Sequence, residues 1–287
     1  MKKLMLLFLI LVTLFSSAVA EGLPLDGSLT FVPAQPSEAC FTEAGYEDET
    51  ITVAMERIEV DDATYNVARV RIADASQLRT ALADPVKAKK TNKVSAIAKN
   101  YHAVVAIGGD YFTKDTYGYV VRQGEVFRKN PSNKRDMLVI DGNGDFHILP
   151  QSNPAALKTL MEAESGITNV FNFGPALVID GQVQTMPEDY KYNIHRKEPR
   201  CAIGQTGSLE YLLVVVDGRR KDSDGCTCAD LAQFMADQGC TMAYNLDGGN
   251  SALMYFHNEN YSDKSVKAER SVSDIIYFAT GVGSTGE

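Results

Sequence analysis

The chain has 287 residues, 45% of them hydrophobic and 23% charged, the balance of an ordinary globular protein, which excludes disorder over most of its length. Its 28 basic and 37 acidic side chains give a formal net charge of -9. A groove for nucleic-acid phosphates draws on the opposite excess, so nucleic acid is excluded as a partner.

Lys2 and Lys3 precede an apolar run from Leu4 to Phe15 broken only by Thr13, followed by Ser16, Ser17 and Ala18-Val19-Ala20. This is the layout of a cleavable secretory signal over residues 1–20, cut after Ala20. The run is shorter than the ~20 apolar residues a spanning helix needs, and no later segment is long and apolar enough, so no transmembrane segment is expected after cleavage. The expected location is secreted or periplasmic. About 265 residues then remain, enough for one large domain or two modest ones. Residues 21–49 carry several Pro, Ser and Gly without a period and read as a flexible leader to a domain over 50–280.

Ile51–Val60 and Tyr65–Ile72 alternate apolar and polar residues around Asp61-Asp62-Ala63, which predicts an antiparallel hairpin. Helices are predicted over Ser76–Ala83, ending before Pro85, and from an Asn92 cap through Asn100. Ala103–Ile107 is a buried strand opening into Gly108-Gly109-Asp110. Hairpins follow about Gln123-Gly124 and about Asp141-Gly142-Asn143-Gly144, then a helix over Pro154–Glu164 and a short strand Ala176–Ile179 closed by Asp180-Gly181. The Asp141 turn lacks the spaced ligands of a calcium loop.

Leu212–Val216 is too short for a helix and rich in β-branched residues, so it reads as a buried strand running into Asp217-Gly218-Arg219. A helix-like CADLAQFMADQG precedes AYNLDGGNSALMYF, where Asp247 stands at a strand end with Gly248 and Gly249 free to turn the backbone toward a ligand. Asp274–Ala279 reads as the last strand. The pattern argues for an α+β fold, with mixed or antiparallel sheets and interspersed helices in a single large domain.

Cys40, Cys201, Cys226, Cys228 and Cys240 are an odd set, so complete internal pairing is excluded. A bridge from Cys240 to Cys226 or to Cys228 is open, and Cys226-Thr-Cys228 lacks zinc-ligand spacing. The four histidines are scattered, although His195 stands five residues before Arg200. No G-x-S-x-G elbow supports a serine esterase.

Taken in order and spacing, AIGGDYF, FGPALVIDG, PRCAIG, VVVDGR, the Gly225 loop with its following helix, and NLDGGNS resemble the phosphodiester glycosidase family from about Ala103 to Phe278. The resemblance implies a hydrolase that cleaves the glycosidic C–O bond of a sugar-1-phosphodiester of the GlcNAc-1-phosphodiester kind, giving free sugar and a phosphomonoester; no cofactor is expected and no metal ligand is assigned. Matched motif by motif, it implies site residues Asp110, Gly174, Pro175, Arg200, Gly204, Asp217, Arg219, Asp247, Gly248, Gly249 and Ser251, with Arg270 and Val272 from ERSVSD. Two positions depart from the family pattern: Gly108 stands where Asn is usual, and Asn250 where Gly is usual.

Such hydrolysis needs carboxyl groups to assist at the anomeric carbon and a cation to hold the diester. Asp247 and Asp217 are the first carboxyl pair, with Asp110 in reserve. Arg200 is the first phosphate ligand, Arg219 and Arg270 the second, with the Gly248 and Gly249 N–H groups sharing the charge. The implied partner is a sugar phosphodiester or phosphate-linked glycan. A non-catalytic glycan-binding or envelope-assembly protein of the same fold is the alternative reading, and a metal-dependent phosphodiesterase is a third.

Overall fold

The computed structural model describes residues 22–25, 31–85, 89–265 and 269–282. The expected signal segment lies outside them. The α+β expectation holds in part: the chain is sheet-dominated, with three α-helices and three large sheets among the described residues, all strand neighbours antiparallel, in one domain.

The largest sheet runs in the order Phe41–Thr42, Gly45–Glu47, Ile51–Val60, Ala63–Ile72, Glu210–Val216, Arg200–Gly207, Met242–Asn245, Ala176–Ile179, Gln182–Val183. Its centre is covered on both faces, which explains why EYLLVVV is a continuous apolar run and not an alternating one. One face, with Tyr65, Val67, Leu212, Val214 and Ala202, packs on Leu231, Ala232 and Met235 of helix α3, Cys228–Asp237. Thr227 starts that helix through a capping box with Asp230. The other face, with Val70, Leu213, Val215 and Ile203, meets the remaining sheets in the central core. Truncating Leu213 there removes about 2–5 kcal/mol.

The second sheet is ordered Phe146–Leu149, Met137–Asp141, Ile167–Phe171, Gly118–Arg122, Glu125–Asn130. Its outer face carries the helix Pro154–Glu162. The third sheet is ordered Glu259–Asn260, Met254–Phe256, Val105–Gly108, Asp274–Phe278, Leu78–Leu82, with helix Val94–Asn100 against it.

Three local expectations differ. Ser76–Ala83 is not a helix: Asp74 caps a single 3-10 turn, Ala75–Gln77, after which Leu78–Leu82 forms a strand against Asp274–Phe278. That partner lies nearly two hundred residues away, so the long-range pairing overrides local propensity. Asn92 does not cap its helix, because Asn92–Lys93 pairs with Ser271–Val272 and the helix starts at Val94. The sheet also begins ahead of residue 50, since Gly45–Glu47 pairs with Ile51–Val60.

Candidate active site

Two strand ends from different sheets are tied together at the candidate site. Val105–Gly108 runs into Gly109-Asp110, and Met242–Asn245 runs into Leu246-Asp247. The Asp247 N–H donates to Gly109 O at 3.2 Å, the Leu246 N–H to Cys201 O at 2.8 Å and the Gly109 N–H to Asp274 O at 3.0 Å. Gly109 is required by crowding: a Cβ there would lie 2.5 Å from Asp274 Oδ1.

The result is a group of three carboxyls, Asp110, Asp247 and Asp274, beside one buried cation that sequence reasoning missed. Arg122 is fully buried, with Nε 2.6 Å from Asp274 Oδ2 and Nη2 3.0 Å from Asp110 Oδ1. Its Nη1 donates to the Val121 and Val170 carbonyls, and its guanidinium lies over the Phe171 ring at 4.0 Å. Asp110 also accepts from the backbone N–H groups of Phe112 and Asn172, so both its oxygens are held. Burial pushes Asp274 above the usual carboxylate range against the pull of Arg122, with Asp110 and Asp247 adding to the rise. Only the Asp that opens the last strand hinted at this role; Arg122 looked like one residue of a hairpin.

Asp247 is partly accessible, unlike the other two. Burial raises its pKa to about 6, the charge of Asp110 adds to the rise, and the neighbouring Ser251 hydroxyl and Arg270 oppose it. Arg270 is itself placed by Tyr111, whose hydroxyl accepts from Nη2 at 3.1 Å and whose ring lies 5.2 Å from the guanidinium. A carboxyl titrating near neutrality and facing solvent can exchange protons with a substrate, and a partly exposed arginine beside it can hold an anion.

Asp217 belongs to a separate cluster. Arg200 lies directly opposite Val216 in the sheet, so Arg200 faces helix α3 with Val216, while Asp217, one residue on, points to the other face. Its Oδ1 accepts from Asn66 Nδ2 at 2.8 Å and from the Asp263 N–H at 3.1 Å. Burial and the Asp263 charge raise its pKa to about 7, with the Asp263 N–H, Arg57 and Asn66 opposing. Arg200 is buried and donates to three backbone carbonyls, those of Cys226, Asn193 and Arg196, which ties the 193–196 loop to the sheet. The residues at 200, 217 and 247 thus have no hydrogen-bond or charge partner in common among the described residues.

The remaining expected positions fall into place around these groups. Arg219 reaches across to the glycine loop, with Nε 2.5 Å from Glu198 Oε2 and Nη1 2.7 Å from Asn250 Oδ1. Gly249 has φ +59 and donates its N–H to Pro199 O at 2.7 Å, which leaves the Gly248 N–H as the one of the pair without a backbone partner among the described residues. Gly204 sits under helix α3, where a Cβ would meet Cys240 Sγ at 2.5 Å, so it serves packing. Gly174 has φ +72 and precedes a cis bond to Pro175; its carbonyl accepts from Asn245 Nδ2 at 2.7 Å, binding the 172–175 loop to the strand that ends at Asp247.

The two departures from the family pattern have structural partners. A Cβ on Gly108 would approach Ser251 O to 3.3 Å, so glycine lets the 248–251 loop sit close. Asn250 is held by Arg219 and by the Ser265 hydroxyl at 3.1 Å. His195 is exposed and bonds Pro187 O. All five cysteines are free thiols, so neither bridge to Cys240 is formed, and burial pushes Cys226 up to about 12 and Cys228 to about 11.

Residues 101–279 match the family described as phosphodiester glycosidase. The fold is similar to the zebrafish N-acetylglucosamine-1-phosphodiester alpha-N-acetylglucosaminidase catalytic domain auto-inhibited by its pro-peptide, with a TM-score of 0.63 at 18% identity over 86% of this chain and 87% of that one. It is also similar to a hypothetical protein from Synechocystis, with a TM-score of 0.56 at 17% identity over 80% of this chain and 62% of that one. An uncharacterized SPbeta prophage-derived protein of Bacillus subtilis, YomE, is 33% identical over 111 residues, which are 39% of this chain and only 17% of that protein's length. With the family match covering more than half of its length, the chain belongs to the phosphodiester glycosidase family.

Proposed function

We propose that the protein is an exported hydrolase that cleaves the glycosidic C–O bond of a sugar-1-phosphodiester, with Asp247 and Asp110 as its working carboxyls. The observation that carries this reading is the hydrogen bond from the Asp247 N–H to Gly109 O, which brings the two acidic strand ends side by side. Asp247, with a pKa raised to about 6 and access to solvent, suits proton transfer near neutral pH. Asp110, buried and fixed by Arg122, stands behind Asp247 as a second carboxyl, so that Asp247 is the one that meets the oxocarbenium-like sugar as the phosphate leaves. The phosphate is a good leaving group, so most of the demand falls on charge stabilisation and on holding the diester. Arg270 and the Gly248 N–H are the proposed ligands of the diester, in place of Arg200, whose donors are taken by backbone carbonyls.

Hydrolysis of a GlcNAc-1-phosphodiester in 18O-labelled water tests the reading directly. Label in the released sugar is the expected result, and label in the phosphate would instead mean attack at phosphorus. Binding of the diester with no turnover, in wild type and Asp247→Asn alike, would leave a glycan-binding protein that kept the fold.

A further inference from the structure

Beside the carboxyl group lies a second, larger space that the hydrolytic chemistry does not use. A cleft of about 740 Å3 is walled by Tyr117, Lys134, Arg135, Tyr190 and Lys191, with Asp189 at its edge. It shares Tyr117 and Arg135 with a void of about 10 Å3 whose wall includes Asp110. The void holds no more than a water, whereas the cleft has the size of a ligand site. The two are therefore neighbours, with the Tyr117 and Arg135 side chains as the partition between them.

The partition is rigid. Arg135 is buried, with Nη2 2.7 Å from Asp115 Oδ2 and its guanidinium 5.2 Å from the Tyr192 ring. Tyr192 donates to Asp115 at 2.9 Å and stacks on Phe173 at 4.2 Å. Against the cost of burial, Arg135 and Tyr192 hold the Asp115 carboxyl below its usual range, so the cluster stays charged. The cleft side is different: Lys134 and Lys191 are exposed, Tyr117 is 55% exposed, and Lys134 has no ion-pair partner among the described residues. Three cations and one carboxylate line this cleft on a chain whose net charge is -9; Arg135 and Lys191 both face Asp115, at 2.7 and 3.5 Å, which leaves Lys134 as the cation open to a ligand. An exposed tyrosine ring, Tyr117, beside the Lys134 ammonium suits a polyhydroxylated, anionic ligand, because the ring can cover a sugar face while the ammonium meets phosphate.

We infer that this cleft is a subsite for the leaving-group side of the substrate, taking a further sugar-phosphate unit of a phosphate-linked glycan; the inference rests on the proposed hydrolase reading. The enzyme would thus favour a chain of such units over a single capped sugar. Two substrates decide it: a GlcNAc trimer joined by phosphodiesters, and the methyl phosphodiester of GlcNAc-1-phosphate. Lys134→Glu is expected to raise KM for the trimer about fivefold, with kcat and the methyl diester unchanged and Lys134→Arg close to wild type. Equal effects on both substrates, or none, would overturn the subsite. Calorimetric binding in the Asp247→Asn background separates the two readings. The phosphate-linked trimer should bind about fivefold weaker once Lys134→Glu is added, while a neutral GlcNAc trimer should show no such difference. If neither diester is turned over, the hydrolase reading fails, and equal binding with and without Lys134→Glu would remove the subsite independently.

Discussion

Asp247 and Asp217 are chemically alike in the sequence and different in the molecule. Each closes an apolar strand, each is followed by glycine, and each has a raised pKa. Asp247 stands where two sheets join, half-buried, with Asp110, Arg270 and a glycine loop around it. Asp217 lies on the other side of the Arg200–Gly207 strand, enclosed by Asn66, the 263 backbone and Ser223, whose hydroxyl donates to Asp217 O at 2.7 Å. A shifted pKa therefore marks burial in both places, and the proposed reaction draws on it only at Asp247.

The sharpest test of that difference is substitution by the isosteric amide. Asp247→Asn should lower kcat about 10^3-fold, whereas Asp217→Asn should lower it by less than about threefold; equal losses would merge the two clusters into one machine. Arg122→Met should cost about 3–5 kcal/mol in a denaturant titration, because it leaves Asp110 and Asp274 buried without their cation. No comparable loss is expected from the exposed Arg219. Arg270→Ala should raise KM about tenfold with folding intact.

The pH dependence of stability separates the clusters again. Asp217 binds its proton more tightly when folded, with a pKa of about 7 against the ordinary 3.8, so folding takes up a proton between those values. Stability contributed by this group is highest below about pH 4 and falls as pH rises toward 7, by on the order of 2–4 kcal/mol. Asp217→Asn should flatten that part of a thermal-melting series, and an unchanged slope would place the titration elsewhere. The smallest expected effect is at Gly108, where Gly108→Asn should cost about 1 kcal/mol as Ser251 O gives way.

The sequence made some of this legible because some signals are local. The 51–72 hairpin, the strand before Asp217 and the helix before Asp247 each carry their period within a dozen residues. Asp110 and Asp247 stood out because glycines beside an acid at a strand end are an unusual local chemistry. Leu78–Leu82 and Arg122 were hidden for the opposite reason, since the partner strand and both paired carboxylates come from distant parts of the chain. The facing of Arg200 was hidden too, because an arginine on a strand can point to either side, and only the register decides which.

The pairing of Leu78–Leu82 with Asp274–Phe278 has one more consequence. Because one of the two carboxylates that face Arg122 is carried on the later of these strands, a ribosome must synthesise past residue 278 before the buried charges can neutralise one another. The buried carboxyl group beside Asp247 is thus completed only once that late strand has been made and has found its place in the sheet.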